Sequence, residues 1–456
     1  MTEPMLTGAA ALTLRARGDF ASLDAATRHA ITDRTSSRDA TIGARTAAII
    51  DDVRLNGDEA LRRYARDFDG ATLTRLEVPR ERWIAALDAL DPALRRSLER
   101  AVRNIAAVHT AFLPRETTVS PEPGITIGRR PDALQRVGVY APGGRAAYPS
   151  SLFMGAIPAR VAGVQEVIVC SPPGANGEPS AVVLAAAALA NVDRVFAVGG
   201  AGAIAALALG TDTIPRVDRI VGPGNAYVAE AKLQLVSQVT IDAPAGPSEI
   251  LVLADDSANP LAVARELLAQ AEHDPDAAVI AVLCGASAPA LAERTERALA
   301  ELVNGTPRAA IVRASLAARG AIVTVDSLAN AIEIANAWAA EHLLLVVRDE
   351  VRASALAALR SAGTVFVGES SSVAFGDYMT GANHVLPTAG AARCYSGLST
   401  LDFVRWTTWQ EVTPVAAAAL SDDVARFADA EALPAHAAAA RAWARAGTDV
   451  TAEVGR

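Results

Sequence analysis

In the first hundred residues, apolar side chains recur at intervals of three and four, which is the pattern of amphipathic helices. One such helix is predicted over Thr41–Asp58, and the Asn56-Gly57 pair within it predicts a stop. Another is predicted after Asp91, because an acid followed by proline is a typical helix start. We therefore expect mainly helices between about residues 24 and 108.

From residue 135 onward, short runs of β-branched residues end at glycine or proline and alternate with helical stretches. This alternation predicts parallel α/β sheets. A first set of strands is predicted in Gln135–Ala141, Glu166–Ser171, Arg194–Gly199 and Asp218–Gly222. Beyond a junction near Asp242–Ile250, a second set is predicted to start at Glu249, Ala278, Ala321, Leu343 and Gly363. The Ala-rich segment Thr413–Arg445 is predicted to be helical and to lack a core of its own.

The composition is that of a globular chain, with 51% hydrophobic and 20% charged residues. The net charge of −9 argues against a nucleic-acid partner. No apolar run reaches the roughly 18 residues that a membrane helix needs, and the first residues lack the features of a signal peptide. Cys170, Cys284 and Cys394 are too far apart in sequence for a thiolate zinc motif. We therefore expect a multidomain cytoplasmic protein with no membrane or nucleic-acid partner.

A permissive dinucleotide-binding pattern follows the strand that is predicted to end near residue 199. Gly200, Gly202 and Ala205 form G-x-G-x-x-A at the start of a predicted helix, where glycines let a pyrophosphate approach main-chain amides. The acid expected about 20 residues later has only Asp212 and Asp218 as loose candidates. The pattern alone leaves two interpretations open, a nucleotide site or a chance match in a chain rich in Ala and Gly.

Four of the six histidines lie beside acids or amides, whereas His29 and His109 are expected to be ordinary helix residues, exposed or hydrogen bonded. Gln270 and His273 are three residues apart, so a helix presents both on one face. An amide oxygen and an imidazole nitrogen are suitable ligands for zinc. The alternative is an exposed helix end without a ligand.

Glu341 and His342 stand where a predicted helix gives way to a strand, and together they would supply two bases of different pKa. Helix capping by His342 is the alternative. Asp377 and His384 flank a polar loop after the last predicted strand, a usual position for ligand-binding groups. The remaining polar positions of this kind lie in the tail, at Glu431 and His436.

Several long strings of the sequence resemble the histidinol dehydrogenase family, over roughly residues 25–445. The strings are Val137–Arg145, Val198–Thr211, Val221–Lys232, Asp242–Ile250, Gln270–Asp274, Ala340–Leu343 and Gly376–Thr388. Ordered blocks of this length are far more specific than any of the separate motifs. The resemblance implies an α/β fold with two Rossmann-like parallel-sheet domains, a helical N-terminal segment and an extended C-terminal tail, in an intertwined homodimer.

The resemblance also implies domain boundaries. The N-terminal segment would span 1–25. The first Rossmann-like domain would be discontinuous, at 26–136 and 245–389. The second Rossmann-like domain, on the NAD side, would span 137–244. The tail at 390–456 would pack on the partner subunit.

The resemblance also implies an enzyme of histidine biosynthesis. Members of the family oxidise L-histidinol to L-histidine through the aldehyde, by two successive hydride transfers to NAD, and they depend on zinc. Carried over to this sequence, the zinc ligands are Gln270, His273, Asp377 and His436, the last from the tail of the partner subunit. Zinc would orient the imidazole and the amino group of the substrate.

The paired bases of the family fall on Glu341 and His342. His342 would take the alcohol proton, and Glu341 would activate the water that hydrates the aldehyde. The implied substrate contacts are Ser248, Gln270, His273, His342, Asp377, His384, Glu431 and His436. The implied NAD contacts are Tyr140, Gly202 and Asn225. The family usually has Gln at the position of Gly202, so we expect one lost hydrogen bond of ~0.5–1.5 kcal/mol and NAD binding several-fold weaker.

Two other functions remain open from the sequence. A related zinc- and NAD-dependent enzyme could oxidise another small alcohol, such as a sulfonated diol, and would differ in the side chains that recognise the substrate. A dimeric metal- or NAD-binding protein without turnover is the second. Loss of turnover usually requires a missing ligand or base, and none of the six predicted ligand and base positions is missing from this sequence.

Overall fold

The computed structural model describes residues 12–32, 34, 40–143, 147–244 and 246–453, with side chains through Ala444. Predictions that fall on residues 1–11, 145, 245 and 454–456 lie outside the described residues. The chain forms two compact units. The first comprises the residues up to Phe112 together with Leu134–Phe403, and the second comprises Leu113–Ala133 together with Val404–Arg456.

The described residues form the strands β1 (Ala16–Asp19), β2 (Thr117–Val119), β3 (Ile125–Ala133), β4 (Arg136–Tyr140), β5 (Glu166–Ser171), β6 (Arg194–Ala197), β7 (Arg219–Val221), β8 (Thr240–Ile241), β9 (Glu249–Asp255), β10 (Ala278–Cys284), β11 (Gly320–Val325), β12 (Ala340–Val346), β13 (Ala362–Val367) and β14 (Val404–Val412).

They also form the helices α1 (Ala25–Thr32), α2 (Ala40–Asp69), α3 (Arg80–Asp88), α4 (Pro92–Ala111), α5 (Pro149–Val161), α6 (Ala181–Leu189), α7 (Gly200–Leu209), α8 (Ala226–Leu235), α9 (Pro260–Ala271), α10 (Ala288–Gly305), α11 (Ala309–Arg319), α12 (Leu328–Trp338), α13 (Asp349–Ala358), α14 (Val373–Tyr378), α15 (Pro414–Ala430) and α16 (Pro434–Glu453). Within the described part of the chain, none of them is long and apolar enough to cross a membrane.

Six parallel strands form the larger sheet of the first unit, in the order β1-β11-β10-β9-β12-β13. Its central strands are buried on both faces, which accounts for their continuous apolar sequences. β9 and β12 are direct neighbours, with His342 opposite Ile250. The parallel strands predicted for this part of the sequence are confirmed.

The first unit contains a second parallel sheet, in the order β6-β5-β4-β7-β8. The strand order reverses between β4 and β7, because the strands that follow β4 are added on one side and the later ones on the other. In open α/β sheets, such a switch point opens a ligand crevice at the carboxyl ends of the strands. Tyr140 ends β4, and Gly222 follows β7 at this crevice.

The helices α2, α3 and α4 cover this second sheet, whereas α1 packs on the six-stranded sheet through Ile31. Ile50, Leu61, Trp83 and Ile105 belong to the same hydrophobic core as the strands of the five-stranded sheet. The sequence grouped residues 26–136 with the six-stranded sheet instead. An amphipathic pattern predicts that a helix buries one face, but it does not say which sheet receives that face.

The expected stop in the first long helix is a kink rather than an end. Gly57 has φ of 47° and ψ of −125°, and helical structure resumes beyond it as far as Asp69. Glycine tolerates this left-handed conformation at little cost. Two helical segments therefore follow each other within α2.

The second unit contains an antiparallel sheet that the sequence did not predict, in the order β14-β3-β2. Its strands carry few buried side chains, so the alternating apolar signal of a strand is weak. The tail helices α15 and α16 do share a small core, which consists of Ala425, Ala428 and Ala437. The expectation that the tail lacks a core of its own is therefore wrong, because these three alanines form a small one.

His109 on α4 also differs from expectation. Its side chain is buried, at 1% exposed, and neither ring nitrogen has a hydrogen-bond partner in the described structure. Burial lowers the pKa of His109 to about 4. The ring is thus a neutral, unpaired group in an apolar core rather than an exposed or hydrogen-bonded one.

Candidate active site

Glu341 and His342 lie side by side at the start of β12 and are both buried. Their neighbour across the sheet is the first residue of β9, Glu249. The Nδ1 atom of His342 lies 3.0 Å from the carbonyl oxygen of Glu249. The main-chain N–H of Glu249 donates a hydrogen bond of 2.7 Å to Oε2 of Glu341. A single residue of β9 thus contacts both candidate bases.

These contacts fix the state of the imidazole. A carbonyl oxygen only accepts, so Nδ1 of His342 must carry the proton and Nε2 must carry the free lone pair. Nε2 is buried, has no hydrogen-bond partner among the described residues and lies 3.8 Å from Oδ1 of Asp377. Burial lowers the pKa of His342 to about 4, and the charges of His384 and His273 act in the same direction. The ring is therefore neutral and able to accept a proton at Nε2.

Glu341 has the opposite electrostatic character. Burial raises the pKa of its carboxyl well above the usual value, and the charges of Glu249 and Asp377 add to this effect. The guanidinium of Arg34 opposes them. A carboxylate with a raised pKa is a stronger base than an exposed one, so the site combines two bases of different strength.

The helices α9 and α14, which carry or adjoin three of the four predicted zinc ligands, are in direct contact. Oε2 of Glu266 on α9 accepts a hydrogen bond of 3.1 Å from the N–H of Val373 at the start of α14. Gln270 follows Glu266 by one helical turn, and Asp377 follows Val373 by one turn. His273 lies just beyond the end of α9 and is exposed.

The chemistry of these side chains fits a divalent metal. Gln270 is buried, and in the part of the chain that the structure describes its Nε2 atom has no hydrogen-bond partner. Burial raises the pKa of Asp377 to about 7, and the charge of Glu266 adds to this effect. Within the described residues no three His, Cys, Asp or Glu side chains form a metal-binding group. Of the three predicted ligands on these elements, His273 and Asp377 are of these residue types and Gln270 is not.

His384 lies beside Asp377. Its Nδ1–H donates a hydrogen bond of 2.9 Å to the main-chain carbonyl of Asp377. Burial lowers the pKa of His384 to about 4. Ser248 is half-buried and immediately precedes Glu249. The structure thus gathers His384 with the bases and Asp377, and it places Ser248 next to the residue that contacts both bases.

The two tail residues of the predicted site, Glu431 and His436, belong to the second compact unit. Glu431 follows the last residue of α15, and His436 lies in the first turn of α16. Both are exposed. Their role at the site therefore stays a prediction.

Two of the three predicted NAD contacts, Tyr140 and Asn225, follow the strands β4 and β7 at the switch point of the five-stranded sheet. The N–H of Gly200 donates a hydrogen bond of 3.1 Å to the hydroxyl of Tyr140. Gly222 has φ of +112°, and a Cβ there would lie 2.2 Å from the carbonyl oxygen of Tyr140, so only glycine fits. Asn225 caps α8, where its Oδ1 accepts from the N–H groups of Tyr227 and Val228.

Gly202 is positioned differently from the other two predicted contacts. It is buried inside α7, and a Cβ there would lie 3.3 Å from Leu61 and 3.4 Å from Tyr64, both on α2. The missing side chain therefore faces helix α2. Close packing of two helices gives a structural reason for glycine at this position.

A model of the histidinol dehydrogenase family matches residues 32–443. The chain belongs to the histidinol dehydrogenase family. The histidinol dehydrogenase of Methanosarcina mazei is 44% identical over 405 residues, which are 88% of this chain and 92% of the relative. That of Bordetella parapertussis is 46% identical over 409 residues, which are 89% and 92% of the two chains.

A solved structure agrees with this assignment. The crystal structure of histidinol dehydrogenase from Elizabethkingia anophelis superposes with a TM-score of 0.89 at 32% identity, and the match covers 95% of this chain and 99% of that one. The fold described above is therefore that of the histidinol dehydrogenase family.

Two residues at the site of this histidinol dehydrogenase family member were not found by sequence reasoning. Glu249 contacts both bases, and Arg34 is bonded to the carboxylate of Glu249. An acid as the first residue of an otherwise apolar strand was an available signal for Glu249. Arg34 had no such signal, because it lies 215 residues away in the sequence.

Proposed function

We propose that this protein oxidises L-histidinol to L-histidine through the aldehyde, the last step of histidine biosynthesis, as a cytoplasmic homodimer that uses NAD and zinc. The observation that carries the proposal is the buried Nε2 of His342. It is unprotonated, has no hydrogen-bond partner within the described structure and lies beside Asp377 in a chain of this family. A lone pair in that position is suited to take a proton from a bound alcohol.

His342 serves the first oxidation. Its Nδ1–H is held by the carbonyl of Glu249, so Nε2 accepts the hydroxyl proton as the alcohol carbon loses a hydride. NAD at this site would supply the hydride acceptor for this step, and a second NAD would supply it for the next. Tyr140 and Asn225 would contact NAD at the switch-point crevice, and Gly202 would do so without a side chain.

Glu341 serves the second oxidation. Its carboxylate removes a proton from the water that adds to the aldehyde carbon, which gives the hydrate that is oxidised to the acid. The raised pKa of Glu341 makes it a stronger base for this proton. Burial of both bases keeps other water molecules away from the aldehyde.

Gln270, His273 and Asp377 would hold the zinc, with His436 of the tail as the fourth ligand. Zinc held there would orient the imidazole and the amino group of the substrate. Ser248, His384 and Glu431 would complete substrate recognition, and a carboxylate such as Glu431 suits a cationic amine.

The test is NADH production from zinc-loaded protein offered L-histidinol, with the histidine formed measured in the same sample. Two NADH per histidine would support the two-step oxidation. Absence of NADH from histidinol, together with NADH from another small alcohol such as a sulfonated diol, would overturn the proposed substrate while keeping the dehydrogenase chemistry.

A further inference from the structure

Glu249 on β9 contacts the side chains of both candidate bases, which lie on the neighbouring strand β12. Its N–H donates to Oε2 of Glu341 at 2.7 Å, and its carbonyl accepts from Nδ1 of His342 at 3.0 Å. Both groups are main-chain atoms of one residue. A displacement of Glu249 would therefore move the hydrogen-bond partners of both bases at once.

The side chain of Glu249 is anchored on the other side. It is 3% exposed, and its Oε1 accepts a hydrogen bond of 2.8 Å from the N–H of Ala389. Its Oε2 accepts from Nη1 of Arg34, which is itself buried. The carboxylate is thus fixed by two donors that lie far from it in the sequence.

Arg34 is held in turn by an aromatic ring. The carbon at the centre of its guanidinium group lies 3.5 Å from the ring centroid of Trp338, a cation–π distance. The indole N–H of Trp338 donates a hydrogen bond of 3.0 Å to the carbonyl of Ile31. Trp338 ends α12, two residues before β12 begins. The anchor therefore connects α12 with the start of β9, next to the strand that carries the bases.

We propose that Arg34 and Glu249 are positioning residues for both oxidation steps. This rests on the proposed function, in which His342 serves the first step and Glu341 the second. A buried carboxylate that loses its guanidinium partner must be protonated, recruit water or move, since an isolated buried charge is strongly unfavourable. Any of these responses changes the environment of the peptide groups that hold His342 and Glu341.

The experiment replaces Arg34 with methionine, which keeps an unbranched apolar stem against Trp338 but removes the charge. The two half-reactions are measured separately, one from histidinol and one from the aldehyde, along with the KM for histidinol, the zinc content and the Tm. R34K tests rescue, because it restores the charge but not the planar group. E249Q provides a second route should R34M fail to fold, since an amide oxygen still accepts from Ala389.

The matched control is Arg194→Met. Arg194 donates two hydrogen bonds to Glu77, of 3.0 and 2.6 Å, and its guanidinium lies 4.8 Å from the ring of Phe196. This is the same combination of arginine, carboxylate and aromatic face, more exposed and at the edge of the other parallel sheet. R194M therefore reports on the loss of such a group away from the bases.

We expect R34M and E249Q to lower the rate of both half-reactions by about tenfold or more, because small misplacements of reacting groups are costly. Zinc content and the KM for histidinol should stay close to those of the wild type, R34K should recover part of the rate, and R194M should keep it. Folded, zinc-loaded R34M or E249Q with wild-type rates in both half-reactions would overturn the inference. A wild-type protein that yields no NADH from histidinol would instead overturn the proposed function.

Discussion

The carbonyl oxygen of Glu249 lies 3.0 Å from Nδ1 of His342, and this contact decides which ring nitrogen can act as a base. Because the carbonyl requires a proton on Nδ1, the lone pair is on Nε2, which faces Asp377. The ring of Phe366, with its centroid 6.0 Å from that of His342, adds an apolar neighbour. Burial keeps the imidazole neutral, so no proton has to leave before it can accept one.

Replacement of His342 by asparagine should lower the rate of histidinol oxidation by ~10²–10⁴-fold, because asparagine keeps a polar group of similar size but cannot take the proton. Zinc content should be unchanged, since His342 is not one of the proposed ligands. The measurement is kcat together with metal analysis. The control is H29N, on the exposed face of α1, which should keep full activity. Wild-type turnover in H342N would remove His342 from the mechanism.

Replacement of Glu341 by glutamine should separate the two oxidations. Glutamine still accepts the hydrogen bond from the N–H of Glu249 but cannot remove a proton from water. We expect aldehyde to accumulate, with about one NADH for each histidinol consumed, and a fall of ~10²–10⁴-fold in oxidation of added aldehyde. Aldehyde trapping and NADH counting would measure this. Undiminished conversion of added aldehyde to histidine by E341Q would contradict the assignment.

Zinc binding should weaken as the pH falls below about 7. Asp377 has its pKa raised to about 7 by burial, and a carboxylate must lose its proton to bind a metal. Zinc affinity of the metal-free protein, measured against a competing chelator from mildly acidic to mildly basic pH, should rise with pH through this region. D377N should bind zinc more weakly at every pH and show a smaller pH dependence. Equal slopes for wild type and D377N would show that Asp377 does not bind the metal.

The sequence was most informative where burial is continuous. The strands β9, β10 and β12 are buried along their whole length, so their apolar runs stand out between glycine, proline and polar residues. The opposite signal, polar residues beside such strands, led to the prediction of Glu341, His342, Asp377 and His384 as site residues.

Features that depend on contacts distant in sequence were not predictable. The pairing of Arg34 with Glu249 spans 215 residues and leaves no periodic trace. The pairing of β3 with β14 joins strands with few buried positions, so neither has a clear alternating pattern. For Gly202 the sequence showed only the absence of a side chain, whereas the structure shows what occupies the space, Leu61 and Tyr64.

The buried ring of His109 should make the protein less stable in mild acid. Its pKa is about 4 in the folded protein, against the ordinary value of 6.5. Between these values the unfolded chain binds a proton that the folded protein does not, so the free energy of unfolding falls as the pH falls. The full difference corresponds to about 3 kcal/mol. Above about pH 7 the His109 contribution should no longer depend on pH.

Replacement of His109 by leucine isolates this effect from that of the other histidines. H109L should raise the free energy of unfolding by ~1–3 kcal/mol at neutral pH, because two unpaired nitrogens leave an apolar core. The gain should increase by about 2 kcal/mol near pH 5. At that pH the unfolded wild-type chain binds a proton at His109, which favours unfolding, and H109L has no such proton to bind. Urea unfolding of both proteins at the two pH values would measure it, with H29L on the exposed face of α1 as the control. A gain that is the same at both pH values would mean that the ring of His109 is not held neutral, since its titration is the only difference that varies with pH.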